Sequence, residues 1–140
     1  MAAAVGARLN HVSRESPDIK RLAQFYTEVF GFEKVVAPKR PYGVIWLKLG
    51  SLYLHIIERD PSSTKPPEFG AMSAVAGPDN LPRSHHVCFS VSNFDYFVQT
   101  LKGKGIQVHE KCQSDGKTKQ AFFFDPDGNG LEVSSEYPEP

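Results

Sequence analysis

The chain has 140 residues, 40% of them hydrophobic, which is enough for one domain with its own core. Its 16 Lys and Arg balance 16 Asp and Glu, so net charge makes no case for nucleic acid or an anionic membrane as partner. No segment approaches the roughly 18 apolar residues of a membrane span. Cys88 and Cys112 form no CxxC pair, and the opening MAAAVGAR lacks the apolar run of a signal peptide. These features predict a cytoplasmic protein without a disulfide framework.

The first predicted element is a short strand at about 8–13, LNHVS. It leads through a polar turn to a helix on which Ile19, Leu22, Phe25, Tyr26 and Val29 share a face. Ser16 or Asp18 can cap its start, and Gly31 stands where a C-cap glycine belongs. Extended runs follow: FEKVVA, GVIWLKLG and SLYLHIIE. A stretch rich in Pro, Gly, Ser and Ala, about 60–83, reads as a linker.

The plan then repeats. SHHVCFSV predicts a strand at 85–91, with Val87, Phe89 and Val91 facing the core along with His85. His86, Cys88 and Ser90 fall on the other face. A helix carries Phe94, Phe97, Val98 and Leu101, with Ser92 or Asn93 as cap and Gly105 near its end. The runs IQVHEKC, KQAFFFD and GLEVSSE complete the copy, and DPDGNG supplies the hairpin turn before the last strand.

A shift of 75 residues lays LNHVSR on SHHVCF, with His11 on His86. A shift of 77 lays Trp46-Leu47 on Phe123-Phe124 and Leu54-His55 on Leu131-Glu132. The expected architecture is α+β: two tandem βαβββ modules, about 8–59 and 84–136, within one domain spanning 1–140.

His11 and His86 take equivalent places on the first strands, and His55 and Glu132 on the last. Alternation points all four away from the helix-packed faces of their strands. A lone strand histidine is usually an ordinary core or surface residue. Repeat-related histidines with a carboxylate, which would be costly to bury unpaired, suit a divalent ion such as Zn, Mn, Fe, Co or Ni. Such a set leaves coordination positions open for water and substrate. His86 is the expected ligand; His85 is not.

The motifs LNHVS, FYTEVFGFE, WLKLGSLYLHIIERD, SHHVCFSV and FFFDPDGNGLEV span nearly the whole chain. In them the chain resembles the vicinal oxygen chelate superfamily, in its glyoxalase I and fosfomycin-resistance branch. The resemblance implies a curved, barrel-like mixed sheet with the metal on its concave side, and a homodimer in many members. It puts His11, His86 and Glu132 on the metal positions, His55 as an optional fourth, and one ion of Zn, Ni, Mn or Co per site.

Glyoxalase I enzymes commonly have a glutamate where His55 stands, which leaves Glu132 alone as catalytic carboxylate. Fosfomycin-inactivating transferases have a tyrosine where Phe122 stands and an arginine beyond the last strand, and this chain has neither. The expected activity is that of a lactoylglutathione lyase, acting on an aldehyde–glutathione hemithioacetal, with glutathione as co-substrate. Ser13, Trp46, Tyr53, His55, Phe122 and Lys111 are the expected substrate contacts. A thiol transferase on another substrate and a non-catalytic binding module are the alternatives.

Overall fold

Apolar residues at helical spacing in 19–30 form α1 (Ile19–Phe30), which buries Leu22, Ala23 and Tyr26. Asp18 caps it by accepting a hydrogen bond from the Arg21 N–H at 3.1 Å, while the Ser16 hydroxyl accepts one from the Asp18 N–H. Gly31, at φ 80°, ends the helix in the left-handed conformation open to glycine. The computed structural model describes residues 2–64 and 77–135.

Around α1 lie β1 (His11–Ser16), β2 (Glu33–Val35), β3 (Val44–Leu49) and β4 (Leu52–Glu58). They form one four-stranded sheet in the order β1-β4-β3-β2, with β1 parallel to β4 and the other pairs antiparallel. Ile45, Leu47, Leu54 and Ile56 are its buried face. Fully burying each such side chain contributes about 1.5–3 kcal/mol relative to exposure.

The second copy contains a 3-10 turn (Pro78–Arg83), β5 (Val87–Val91), α2 (Phe94–Gly103), β6 (His109–Cys112), β7 (Lys119–Phe124) and β8 (Gly130–Ser135). Its sheet has the same order, β5-β8-β7-β6, with β5 parallel to β8. Ala121, Phe123, Leu131 and Val133 form the buried face, and Phe97 of α2 lies against Phe123. In the turn before β8, the Asp125 carboxylate accepts from the backbone N–H of Asp127 and Asn129 and from the Asn129 amide. DPDGNG is thus a self-bonded turn.

The α+β class and the doubled βαβββ plan hold, with several corrections. The expected barrel-like sheet is two four-stranded sheets that do not close into a barrel. The chain divides into two compact units, Met1–Thr64 and Lys65–Pro140. Within the expected linker, Pro78–Arg83 packs against β7 and β8, while 65–76 lie outside the described residues, as does 136 at the end of the second module. The first strand runs over 11–16 rather than 8–13, because only there does it pair with β4. Asn93 precedes α2 without a side-chain cap bond, and Lys104, not Gly105, is its C-cap. His85 is exposed rather than core-facing, since the strand starts only at Val87; Val87, Phe89 and Val91 are half-buried.

The register also corrects the repeat. Trp46 opposes His55, and Phe122 opposes Glu132. Trp46 is therefore the counterpart of Phe122, not of Phe123. The shift changes along the chain because the β3–β4 turn is Gly50-Ser51 alone, whereas the β7–β8 turn spans 125–129.

Candidate functional site

In the second module, alternation along β8 turns Gly130, Glu132 and Ser134 away from the helix-packed face. Glu132 is 6% exposed. A buried carboxylate needs partners. The Gln120 side chain donates to its Oε1 at 2.7 Å. Its Oε2 faces His86 Nε2 at 3.9 Å.

His86 is held from its far side. Its Nδ1 lies 2.8 Å from the Ser84 carbonyl oxygen. A carbonyl only accepts, so Nδ1 carries a proton and donates it, and any metal-binding lone pair of this ring is that of Nε2. Nε2 and a carboxylate oxygen thus face each other beyond hydrogen-bonding reach. With metal–ligand bonds of about 2.0–2.2 Å, two donors on one ion lie roughly 3–4 Å apart. The pair fits a divalent cation, and the Ser84 bond is the outer support such a ligand needs.

Gly130 makes this approach possible. A Cβ there would lie 2.5 Å from Leu81 Cδ2 and 2.6 Å from the His85 carbonyl oxygen. The bare backbone lets the segment carrying His86 come close to β8. Phe122, 2% exposed, meets the His86 ring edge-on at 5.5 Å, and His109 lies 6.2 Å from Phe122. Cys88 opposes Glu132 across β5–β8. Burial, with the Glu132 carboxylate beside it, pushes its thiol up to about 12, so it stays protonated at neutral pH.

The first module builds a different face. His55 lies between two rings, stacked on Trp46 at 3.9 Å and 3° and on His11 at 4.0 Å and 16°. Register explains the stack: Trp46 and His55 are directly opposed across β3–β4, and His11 is diagonal to His55 across β1–β4. Burial, and then the neighbouring His11, hold His55 below the usual histidine pKa, so it favours the neutral form. His11 is exposed, and its Nδ1 lies 2.8 Å from Asn10 Oδ1. Nδ1 donates there, as it does in His86.

Of the residues expected to act, His86, Glu132 and Phe122 come together in one module, and His11, His55, Trp46 and Tyr53 share a face in the other. Among the described residues no three His, Cys, Asp or Glu side chains gather into a ready ligand set. Ser13 is exposed opposite His55, and Tyr53 lies under the Lys48 ammonium at 5.6 Å. Lys111 is exposed on β6, paired with Gln120 and so on the Glu132 side of the sheet. Sequence reasoning misses Gln120, although a signal exists: it shares parity with Phe122 on β7 and is diagonal to Glu132.

Residues 8–133 match the family model for the Glyoxalase/Bleomycin resistance protein/Dioxygenase superfamily. The chain belongs to this superfamily. It is 29% identical over 137 residues to the mitochondrial methylmalonyl-CoA epimerase of Bos taurus, covering 92% of this chain and 73% of the relative. It is 29% identical over 146 residues to the lactoylglutathione lyase of Schizosaccharomyces pombe, covering 92% of this chain and 47% of the relative. In fold it is similar to a mutant of the fosfomycin resistance protein FosX from Listeria monocytogenes, solved with Mn(II). That likeness has a TM-score of 0.68 at 15% identity and covers 98% of this chain and 95% of that one. Among the described residues no helix is long and apolar enough to cross a membrane.

Proposed function

We propose that the protein is a metal-dependent enzyme that moves a proton from carbon next to a carbonyl, on the pattern of a lactoylglutathione lyase. The observation that carries this reading is the His86–Glu132 pair, with Nε2 facing Oε2 at 3.9 Å. His86 and Glu132 would hold a divalent ion of Zn, Ni, Mn or Co, and His11 of a first module would add a third ligand. When bound, the ion supplies Lewis-acid polarisation of the substrate's oxygen atoms.

The residues divide the remaining work. Glu132 takes the proton from the hydroxyl-bearing carbon of an aldehyde–glutathione hemithioacetal and returns it to the adjacent carbon. The C–H bond broken at one carbon is replaced at the next, the former carbonyl carbon, and the hydroxyl proton passes to that carbon's oxygen as the thioester carbonyl forms. Phe122 and the His86 ring keep water from the carboxylate. His55 lines the site in neutral form, with Ser13, Trp46, Tyr53 and Lys111 as substrate contacts. The homodimer belongs to this proposal; a stable monomer in sedimentation, with metal bound, would remove it.

A second reading has its own support: the relatives named methylmalonyl-CoA epimerase are matched over 73% of the bovine protein's length. Both reactions begin with loss of a proton beside a carbonyl, and they differ in where it returns. Inverting one carbon needs acid–base groups on both of its sides, and Glu132 is the one carboxylate on its face of β5–β8 among the described residues. A transfer along one side needs only one. The test is to assay the metal-loaded protein with methylglyoxal–glutathione hemithioacetal and with methylmalonyl-CoA. Turnover of the first supports the proposal, turnover of the second alone replaces it, and neither, at full metal occupancy, contradicts both.

A further inference from the structure

The two oxygens of Glu132 have different surroundings. Oε1 accepts from Gln120 at 2.7 Å, whereas Oε2 faces His86 Nε2 at 3.9 Å. Glu132 is nearly buried, so its carboxylate cannot turn freely in solvent. Gln120 reaches it diagonally, because its direct partner across β7–β8 is Ser134.

We infer that Gln120 is a positioning residue that assigns the oxygens of Glu132: Oε2 to the divalent ion and Oε1 to the proton. This rests on the metal-dependent reading above and deepens it. A glutamine amide suits the task because it donates without a charge that would compete with a cation. Each carboxylate oxygen accepts in two directions. The amide occupies one direction on Oε1 and leaves the other for a proton. Without the amide, the carboxylate loses the bond that fixes its orientation, so Oε2 is no longer aimed at the ion and Oε1 is no longer set for the proton. The Cys88 thiol also bonds with Glu132 and lies 3.7 Å from the Ser134 hydroxyl, but a thiol is a weak donor and does not replace the amide.

The test uses Gln120→Met, which keeps the length of the side chain and removes the amide, and Gln120→Asn, which keeps the amide and shortens its reach. Mn(II) affinity and the melting temperature of the metal-free protein are measured for both variants and for the unsubstituted chain. Outer supports of this kind are worth about 10- to 100-fold in metal affinity. The expected result is a loss of at least about tenfold in both variants, with metal-free melting unchanged. Infrared spectra of the metal-loaded unsubstituted chain should show the wide carboxylate splitting of a one-oxygen ligand, a readout that needs no variant. Unchanged affinity in a folded Gln120 variant, or a two-oxygen splitting in the unsubstituted chain, would overturn the role of Gln120 alone. An unsubstituted chain that takes up no Mn(II), Zn(II), Ni(II) or Co(II) would overturn the metal-dependent reading along with it.

Discussion

The two modules share strand order, helix placement and register at the decisive strand, yet their site faces are built for different chemistry. At the shared position of the last strand, the first module places His55 and the second places Glu132. His55 lies between Trp46 and His11 and is biased towards the neutral form. Glu132 is buried against Gln120 and aimed at His86 Nε2. A duplicated sheet repeats the address of a side chain, while the opposed residue on the next strand decides what that side chain can do. Trp46 gives its histidine a ring to stack on; Phe122, edge-on to His86, leaves the Glu132 carboxylate to Gln120 and His86.

If that contrast is right, Glu132→Gln should lower turnover by about 10²–10⁴-fold, the usual worth of a positioned acid–base group. His55→Gln should lower it only a few-fold. Similar losses in both variants, measured as kcat on the hemithioacetal, would erase the distinction between base and lining. The complementary change, His55→Glu, supplies a second carboxylate and should raise isomerase activity by about tenfold or more if the site is a diverged glyoxalase.

Stability should follow the same asymmetry. Gly130→Ala sets its methyl group against the His85 backbone and should cost about 1–3 kcal/mol, with loss of metal affinity. Gly43→Ala meets chiefly the tip of the flexible Ile19 side chain and should cost less. Thermal melting of the two variants compares the costs directly.

The smallest effect concerns pH. The folded pKa of His55 lies below its unfolded value of 6.5, so folding favours the neutral ring. Its stability contribution is complete above pH 6.5 and is lost as pH falls from there through the lower folded value. His55→Gln should flatten that part of the melting profile. Trp46 is the chain's single tryptophan, so its emission should dim over the same range as the stacked ring becomes charged. An emission that does not change with pH would argue against the stack.

Much of this was legible in the sequence because strands alternate and the copies align. His86, Glu132 and the opposite facing of Leu131 and Val133 follow from parity alone. Parity failed where the strand had not begun, which is why His85 is exposed. The match of Trp46 to Phe123 failed because the two hairpin turns differ in length, and only strand pairing shows where the extra residues go. Gln120 and the Ser84 carbonyl escaped for another reason. Parity along β7 puts Gln120 on the Phe122 face, but its bond across to Glu132, like that of the Ser84 carbonyl before β5, is not encoded by spacing along the chain.

The central claim is that His86, held through Nδ1 by the Ser84 carbonyl with Nε2 turned to Glu132, is a metal ligand and its neighbour His85 is not. Elemental analysis and Zn(II) titration of His86→Ala and His85→Ala test it most directly. The account predicts that His86→Ala loses most bound metal while His85→Ala matches the unsubstituted chain. Retention of metal by His86→Ala, or its loss from His85→Ala, would contradict it.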